Sequence, residues 1–227
     1  MDFILEIPDN LPSDVCKDII KRFEEDPTKS PGKTSSGFNP RVKKSVDLLL
    51  THNNRFSDLD KVLYEQLKVG LNIYYEYIET KFKNILGLDE IRQFIGGIFN
   101  NTVDTGYVIQ QVKKDDFYLW HSDYNPGDDR ILAFIWYINK IEYGKGGTTD
   151  FYCNKSIQPE EGKLLLFPAT WTYIHTGVKN ESDIDKYIIT GFIVSPPRDN
   201  STRLLSPVQE VQESADTIRP GLLPHNY

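Results

Sequence analysis

From about Tyr107 onward the chain is a succession of short segments rich in Val, Ile, Tyr and Phe, each closed by a turn signal, and this alternation constrains the fold more than any other feature. The segments are Tyr107–Val112, Arg130–Ile138, Lys163–Phe167, Tyr173–Val178 and Tyr187–Val194. Between them lie Asn125-Pro126-Gly127-Asp128-Asp129, Gly144-Lys145-Gly146-Gly147, Pro159-Glu160-Glu161-Gly162 and the polar stretch 180–185. β-Branched and aromatic side chains suit a pleated, half-buried surface, whereas Gly, Pro, Asn and Asp supply the backbone shapes of tight turns. Evenly spaced strands of this kind predict a sandwich or a barrel-like jelly roll.

The first hundred residues have a different texture. Val15, Ile19 and Phe23 recur at four-residue spacing behind Ser13, which reads as a helix N-cap. Ser57 with Asp60 reads as a capping pair opening a long helix. Its apolar stripe is Leu59, Val62, Leu67, Leu71, Tyr74, Ile78 and Phe82, and it ends near Gly87. Pro27 to Pro40 is a loop. Helices with one apolar stripe, placed before a sheet, cover one of its outer faces. After Pro196-Pro197 the pattern fades into a polar, Pro-punctuated stretch, 198–227. The expected fold is mainly β with α: a helical N-terminal support over 1–100, a jelly-roll core over 101–196 and a C-terminal arm over 197–227, forming a single structural domain.

A chain of 227 residues can bury one good core. The formal net charge of −7 gives no general electrostatic reason to bind nucleic acid or an anionic membrane. Arg41-Val42-Lys43-Lys44 is a local basic stretch, which reads as a solvated loop. Cys16 and Cys153 form no disulfide framework and match no zinc spacing. No stretch approaches the roughly 20 apolar residues that span a bilayer. The N-terminus also lacks the basic start and apolar run of a signal peptide, so a soluble, cytoplasmic protein is expected.

The chemistry concentrates in the β-rich part. Two of the four histidines lie there, His121 and His175. In Trp120-His121-Ser122-Asp123, an extended backbone turns residues i and i+2 to one face, so one strand end presents an imidazole and a carboxylate to one ion. If the His175 strand faces the first across the jelly roll, three ligands meet on one side of a metal. Two histidines and a carboxylate, with the opposite positions open, suit non-haem ferrous iron. Lys186 opens the apolar run that follows. If its strand neighbours that of His175, its ammonium points into the same barrel. Ferrous ion with Asp123 carries +1, a dicarboxylate brings −2, and Lys186 restores neutrality, which lessens the penalty of burying charge.

These residues stand within a longer set of ordered motifs. They are Phe117-Tyr118-Leu119-Trp120-His121-Ser122-Asp123-Tyr124, Arg130 to Asn139, Gly146-Gly147-Thr148-Thr149-Asp150-Phe151, Pro159 to Phe167, and His175 with Lys186. The segment Tyr107 to Val194 resembles the catalytic domain of the prolyl 4-hydroxylase-like 2-oxoglutarate/Fe(II) oxygenases. The resemblance implies a double-stranded β-helix, with His121, Asp123 and His175 as iron ligands and Lys186 as partner of the far carboxylate of 2-oxoglutarate. It implies Thr149 and Tyr118 as groups lining the cosubstrate pocket and Arg130 near the substrate mouth. Trp120, Tyr124 and Trp171 are candidates for apolar contact with a proline ring. The mouth would be framed by the Pro27–Pro40 loop, the Asn125–Asp129 turn and the C-terminal arm.

The implied cofactors are Fe(II), 2-oxoglutarate and O2, with ascorbate supporting activity. The implied partner is a prolyl peptide or protein; a free amino acid or other small molecule is the alternative, and a jelly-roll binding module without turnover is a further one. The chain departs from the family where a tyrosine often bonds the cosubstrate: Gln111 or Val112 stands there, so Gln111 substitutes or the contact is lost. Thr148 replaces a usual Glu, and Phe192 a frequent Trp.

Overall fold

The computed structural model describes residues 2–127 and 129–195. In chain order these form β1 (Leu5–Ile7), α1 (Ser13–Glu25), β2 (Ser30–Pro31), β3 (Val46–Leu49), α2 (Ser57–Phe82), α3 (Leu88–Phe99), β4 (Val103–Asp104) and β5 (Val108–Val112). Then follow β6 (Tyr118–His121), β7 (Arg130–Tyr137), β8 (Thr149–Phe151), β9 (Lys155–Ile157), β10 (Leu164–Pro168), β11 (His175–Gly177) and β12 (Lys186–Val194). One sheet runs β1-β10-β7-β12-β5-β3-β2, with β4 also on β12; the other runs β6-β11-β8-β9. The two sheets form the jelly roll that the turn-punctuated pattern predicts.

Period-two alternation explains why β7 reads as an almost unbroken apolar run. Phe134 and Trp136 turn outward to the helices, while Ala133, Ile135 and Tyr137 turn inward to the opposing sheet. Two cores result. The outer one packs Phe23 of α1 and Leu63, Leu67, Leu71 and Tyr74 of α2 against Ile109, Trp136 and Ile189. The inner one joins Ile135, Tyr137 and Ile188 to Phe151 and Phe167 between the sheets. The helices thus cover one face of the large sheet and leave its concave face to the cavity.

Several details differ from the sequence reading. The first hundred residues supply three strands of the large sheet as well as helices, because β1 and β3 pair with β10 and β5. Strands this short leave little periodic signal. Ser13 and Ser57 are first helical residues rather than caps; Pro12 and Phe56 hold the cap positions, without a side-chain cap bond. The buried stripe of α2 uses Leu63 rather than Val62, and the helix ends at Phe82. α3 is an additional helix. Ile91, Ile95 and Phe99 form its buried face, and Glu90 accepts the Gly87 N–H at 2.8 Å to start it. The proposed arm, 197–227, lies outside the described residues. No helix among the described residues is long and apolar enough to cross a membrane.

The junction of N-terminal segment and sheet rests on a buried bond. Trp136 Nε1 donates to Asn10 Oδ1 at 2.6 Å, and Asn10 Nδ2 donates to the Gln66 carbonyl of α2 at 3.3 Å. Asn10→Ala strands the buried indole N–H, and urea unfolding is expected to show a loss of about 1–3 kcal/mol. A change within experimental error would show that this bond does not tie the segment down.

Candidate metal and cosubstrate site

β6 and β11 are adjacent antiparallel strands in which His121 and His175 are direct partners. They do not face each other across the jelly roll, as the sequence pattern suggests. Direct cross-strand partners have Cβ atoms about 5 Å apart, which suffices to bring two imidazoles together. The ring centroids are 4.2 Å apart. Asp123 follows the end of β6. Its Oδ1 lies 3.8 Å from His121 Nε2 and its Oδ2 3.7 Å from His175 Nε2. One ligand atom from each of the three residues can be chosen so that all lie within 4.8 Å of one another.

The imidazoles are oriented from behind. His121 Nδ1 is 2.7 Å from the Leu119 carbonyl and His175 Nδ1 is 3.0 Å from the Tyr173 carbonyl. A carbonyl can only accept, so each Nδ1 carries a hydrogen, and in the neutral ring the lone pair sits on Nε2, facing the shared centre. Burial, reinforced by neighbouring His175, pushes His121 down to about 3, so it is neutral and fit to ligate at ordinary pH. Burial raises the Asp123 carboxyl, against the lowering influence of His175, Arg130 and Lys43. A buried carboxylate beside two imidazoles is a donor set that a divalent cation compensates, and it fits an iron site.

A cavity of about 360 Å³ opens from these residues between the two sheets. Lys186 lines it, buried, with Nζ donating to the Gly147 carbonyl at 2.8 Å. Its strand lies between β7 and β5 in the large sheet. The lysine therefore reaches the site from the opposing sheet, not from a neighbour of the His175 strand. Alternation along β12 turns Lys186, Ile188, Thr190 and Phe192 to the cavity and Ile189 to the helices. Gly146 and Gly147 hold left-handed backbone at φ +66° and +70°, and a Cβ on Gly146 would collide with the Lys179 carbonyl. That turn is what presents the Gly147 carbonyl to the ammonium.

Thr149 and Tyr118 also line the cavity. Tyr137 Oη donates to Thr149 Oγ1 at 2.7 Å, which leaves the threonine hydrogen to donate elsewhere. Tyr118 stacks on His121 with centroids 3.6 Å apart, and burial pushes its phenol up to about 12, so it stays protonated. Arg130 and Tyr124 line the cavity too. Arg130 donates to the Asp123 carbonyl at 3.0 Å and lies 3.9 Å over the Phe192 ring, so it braces the backbone of Asp123.

Other candidates fall elsewhere. Trp120 and Trp171 are 55% and 67% exposed and do not line the cavity. Gln111 does not stand in for the tyrosine. It faces the helices and donates to Glu24, Asp185 and Tyr187, because strand alternation turns Gln110 and Val112 inward instead. The Pro27–Pro40 loop does reach the cavity, through Lys33, Thr34 and Ser35, as does Asn125. Asp128 of that turn lies outside the described residues. The sequence reading missed Lys43, Ser45 and Asp47, which also line the cavity. Their spacing, i, i+2 and i+4 in an extended segment, was the available signal, and Lys43 is buried rather than part of a solvated loop.

Residues 107–194 match the family model of the 2OG-Fe(II) oxygenase superfamily. No curated protein matches the chain in sequence. Among solved structures, the viral collagen prolyl hydroxylase of Paramecium Bursaria Chlorella virus-1, in complex with 2-oxoglutarate, is 17% identical at TM-score 0.56, covering 86% of this chain and 97% of its own. A Trichoplax adhaerens prolyl hydroxylase, in complex with a hypoxia inducible factor oxygen degradation domain peptide fragment, is 17% identical at TM-score 0.65, covering 86% and 84%. A Pseudomonas putida prolyl-4-hydroxylase is 14% identical at TM-score 0.61, covering 86% and 94%. Likeness at such identities speaks for the fold. Residues 107–194 are thus a 2OG-Fe(II) oxygenase domain by their family match, set in a fold shared with prolyl 4-hydroxylases, and together these support a 2-oxoglutarate-dependent dioxygenase.

Burial lowers the Lys186 ammonium from 10.5 to about 8. Between those pH values the unfolded chain binds the proton and the folded chain does not, so stability rises with pH. Below pH 8 both carry it, and the burial cost is on the order of 3 kcal/mol. Without metal or cosubstrate, the wild type is expected to gain on Lys186→Met by up to about that amount between pH 7.5 and 10, as read by urea unfolding. A pH-independent difference would mean that water reaches the ammonium.

Proposed function

We propose that the protein hydroxylates a carbon of a prolyl residue in a peptide or protein, with release of succinate and CO2. The observation that carries this reading is the His121–Asp123–His175 cluster opening onto a cavity that also holds a buried ammonium. His121, Asp123 and His175 hold Fe(II), and Lys186 takes the far carboxylate of 2-oxoglutarate. Bound iron, with 2-oxoglutarate and O2, supplies the oxidising power for C–H hydroxylation.

The protein's own groups orient and shield. The Leu119 and Tyr173 carbonyls hold the imidazoles in the ligating tautomer. Thr149 and Tyr118 offer hydroxyl donors to the cosubstrate. Lys186 closes the charge balance of dication, Asp123 and diacid at zero, so that loading the site lifts the penalty its burial imposes. The prolyl assignment draws support from the peptide-bound Trichoplax structure, whose fold this chain shares.

Protein supplied with Fe(II), 2-oxoglutarate, ascorbate and O2 is expected to form succinate. His121→Ala and Asp123→Ala should reduce succinate to background. Lys186→Ala should raise the 2-oxoglutarate requirement while leaving iron content near the wild-type level. Mass spectrometry of Pro-containing peptides should locate the added oxygen on proline. Tight 2-oxoglutarate binding with no succinate, even with peptides present, would instead establish a binding module.

A further inference from the structure

We infer that the substrate carries a carboxylate close to the carbon that is hydroxylated, and that Lys43 recognises it with support from Lys33. This deepens the reading above, since it assumes that the cavity is where substrate meets the iron site.

Lys43 is built onto the metal-bearing strand. The segment before β3 runs along the free edge of β6: Lys43 bridges to Tyr118, Leu119 N donates to the Val42 carbonyl at 2.9 Å, and Lys44 N donates to the Phe117 carbonyl at 2.8 Å. The Lys43 side chain is 7% exposed and lines the cavity. Its ammonium is 5.6 Å from the centroid of the Tyr118 ring, which in turn stacks on His121. It donates to Asp47 Oδ2 at 2.8 Å, and Ser45 Oγ steadies Asp47 by donating to Oδ1 at 2.7 Å. The Lys33 carbonyl, at 3.5 Å, is a partner at the limit of bonding distance. An ammonium has three hydrogens, so Lys43 has donor capacity to spend on a ligand.

Packing alone gives no reason for this pair. Two charges taken from water into a cavity wall add little net stability, and apolar side chains of similar size would fill the space as well. The charge of the lining points the same way. The chain as a whole is acidic, at −7, yet the cavity is lined by Lys33, Lys43, Lys44, Arg130 and Lys186 against Asp47 and Asp123. Asp47 offsets Lys43, and Asp116 offsets Lys44 at 2.6 Å. Lys186, the iron and Asp123 balance the cosubstrate. Even with Arg130 set aside, Lys33 at the rim leaves the loaded cavity positive. A cleft with surplus charge of one sign focuses its field on ligands of the other. The carboxylate has two possible sources, an acidic side chain beside the target residue of a peptide, or the free α-carboxylate of an amino acid.

The test uses the full chain with Fe(II) and 2-oxoglutarate and matched acid–amide pairs. These are peptides with Asp or Asn, and Glu or Gln, on either side of a central proline, and free L-proline with L-prolinamide. Oxygen incorporation and kcat/KM are measured in air, and binding is measured by calorimetry under nitrogen. The acid member should exceed its amide isostere by about tenfold, the scale of one charge-assisted hydrogen bond, and the pair that discriminates identifies the source. Lys43→Met should erase most of that preference, Lys43→Arg should retain it, and the exposed Lys33→Gln should weaken it through KM. Hydroxylation of proline with acid and amide used equally would overturn this inference and leave the prolyl reading intact. Selective binding of the acids with no oxygen on proline would do the reverse. Preference that survives unchanged in Lys33→Gln and Lys43→Met would remove these lysines from recognition.

Discussion

The pairing of β6 with β11 is the constraint on which the site depends. It sets His121 opposite His175 in one small sheet, and the chain direction after β6 then delivers Asp123 to both. Neither histidine relies on a flexible loop for its position. Each is a strand residue whose Nδ1 is tied to a carbonyl two residues back. A one-residue slip in this register would turn one imidazole to the outer face and dissolve the cluster, so the pairing specifies chemistry as well as structure.

The large sheet has the complementary task of separating a structural face from a chemical one. Along β12, Lys186 turns to the cavity and Tyr187 turns to α1, where its hydroxyl donates to Glu24 at 2.5 Å and accepts from Gln111. The same strand thus anchors the helical layer and presents a buried ammonium to the cavity. Tyr187 lies at 5.8 Å and edge-on to Phe23, which gives α1 an aromatic as well as a polar hold on β12. Rigidity on the outside is what lets a buried ammonium be held at one place on the inside.

Charges in this interior are arranged to be completed by ligands. Asp123 and Lys186 both have their ionised forms disfavoured by burial, one carboxyl raised and one ammonium lowered. On the proposed function, a dication and a diacid would relieve both penalties together and so link binding to stability through the same residues. The Lys43–Asp47 pair differs because it neutralises itself. The surplus positive charge around it is what the proposed substrate carboxylate would meet.

Much of this was legible from residue order. The strand runs after Tyr107, the His-x-Asp spacing, His175, and Lys186 at the head of an apolar strand were all visible, because side-chain alternation and turn chemistry act over a few residues. Short β1 and β3 and the Lys43–Ser45–Asp47 face were not picked out, since so few residues carry little periodic signal; the helix of Ile91, Ile95 and Phe99 was passed over although its four-residue spacing is readable in the sequence. By itself the sequence determined which side chains share a face of each strand and which ligand types the chain can offer. Only the tertiary structure decided which strands are neighbours. It placed the two histidines side by side rather than opposite, brought Lys186 from the other sheet, turned Gln111 outward and set Lys43 beside Tyr118. Those outcomes depend on contacts between residues far apart in the chain, whose pairing is chosen by the packing of the whole sheet and not by any local pattern.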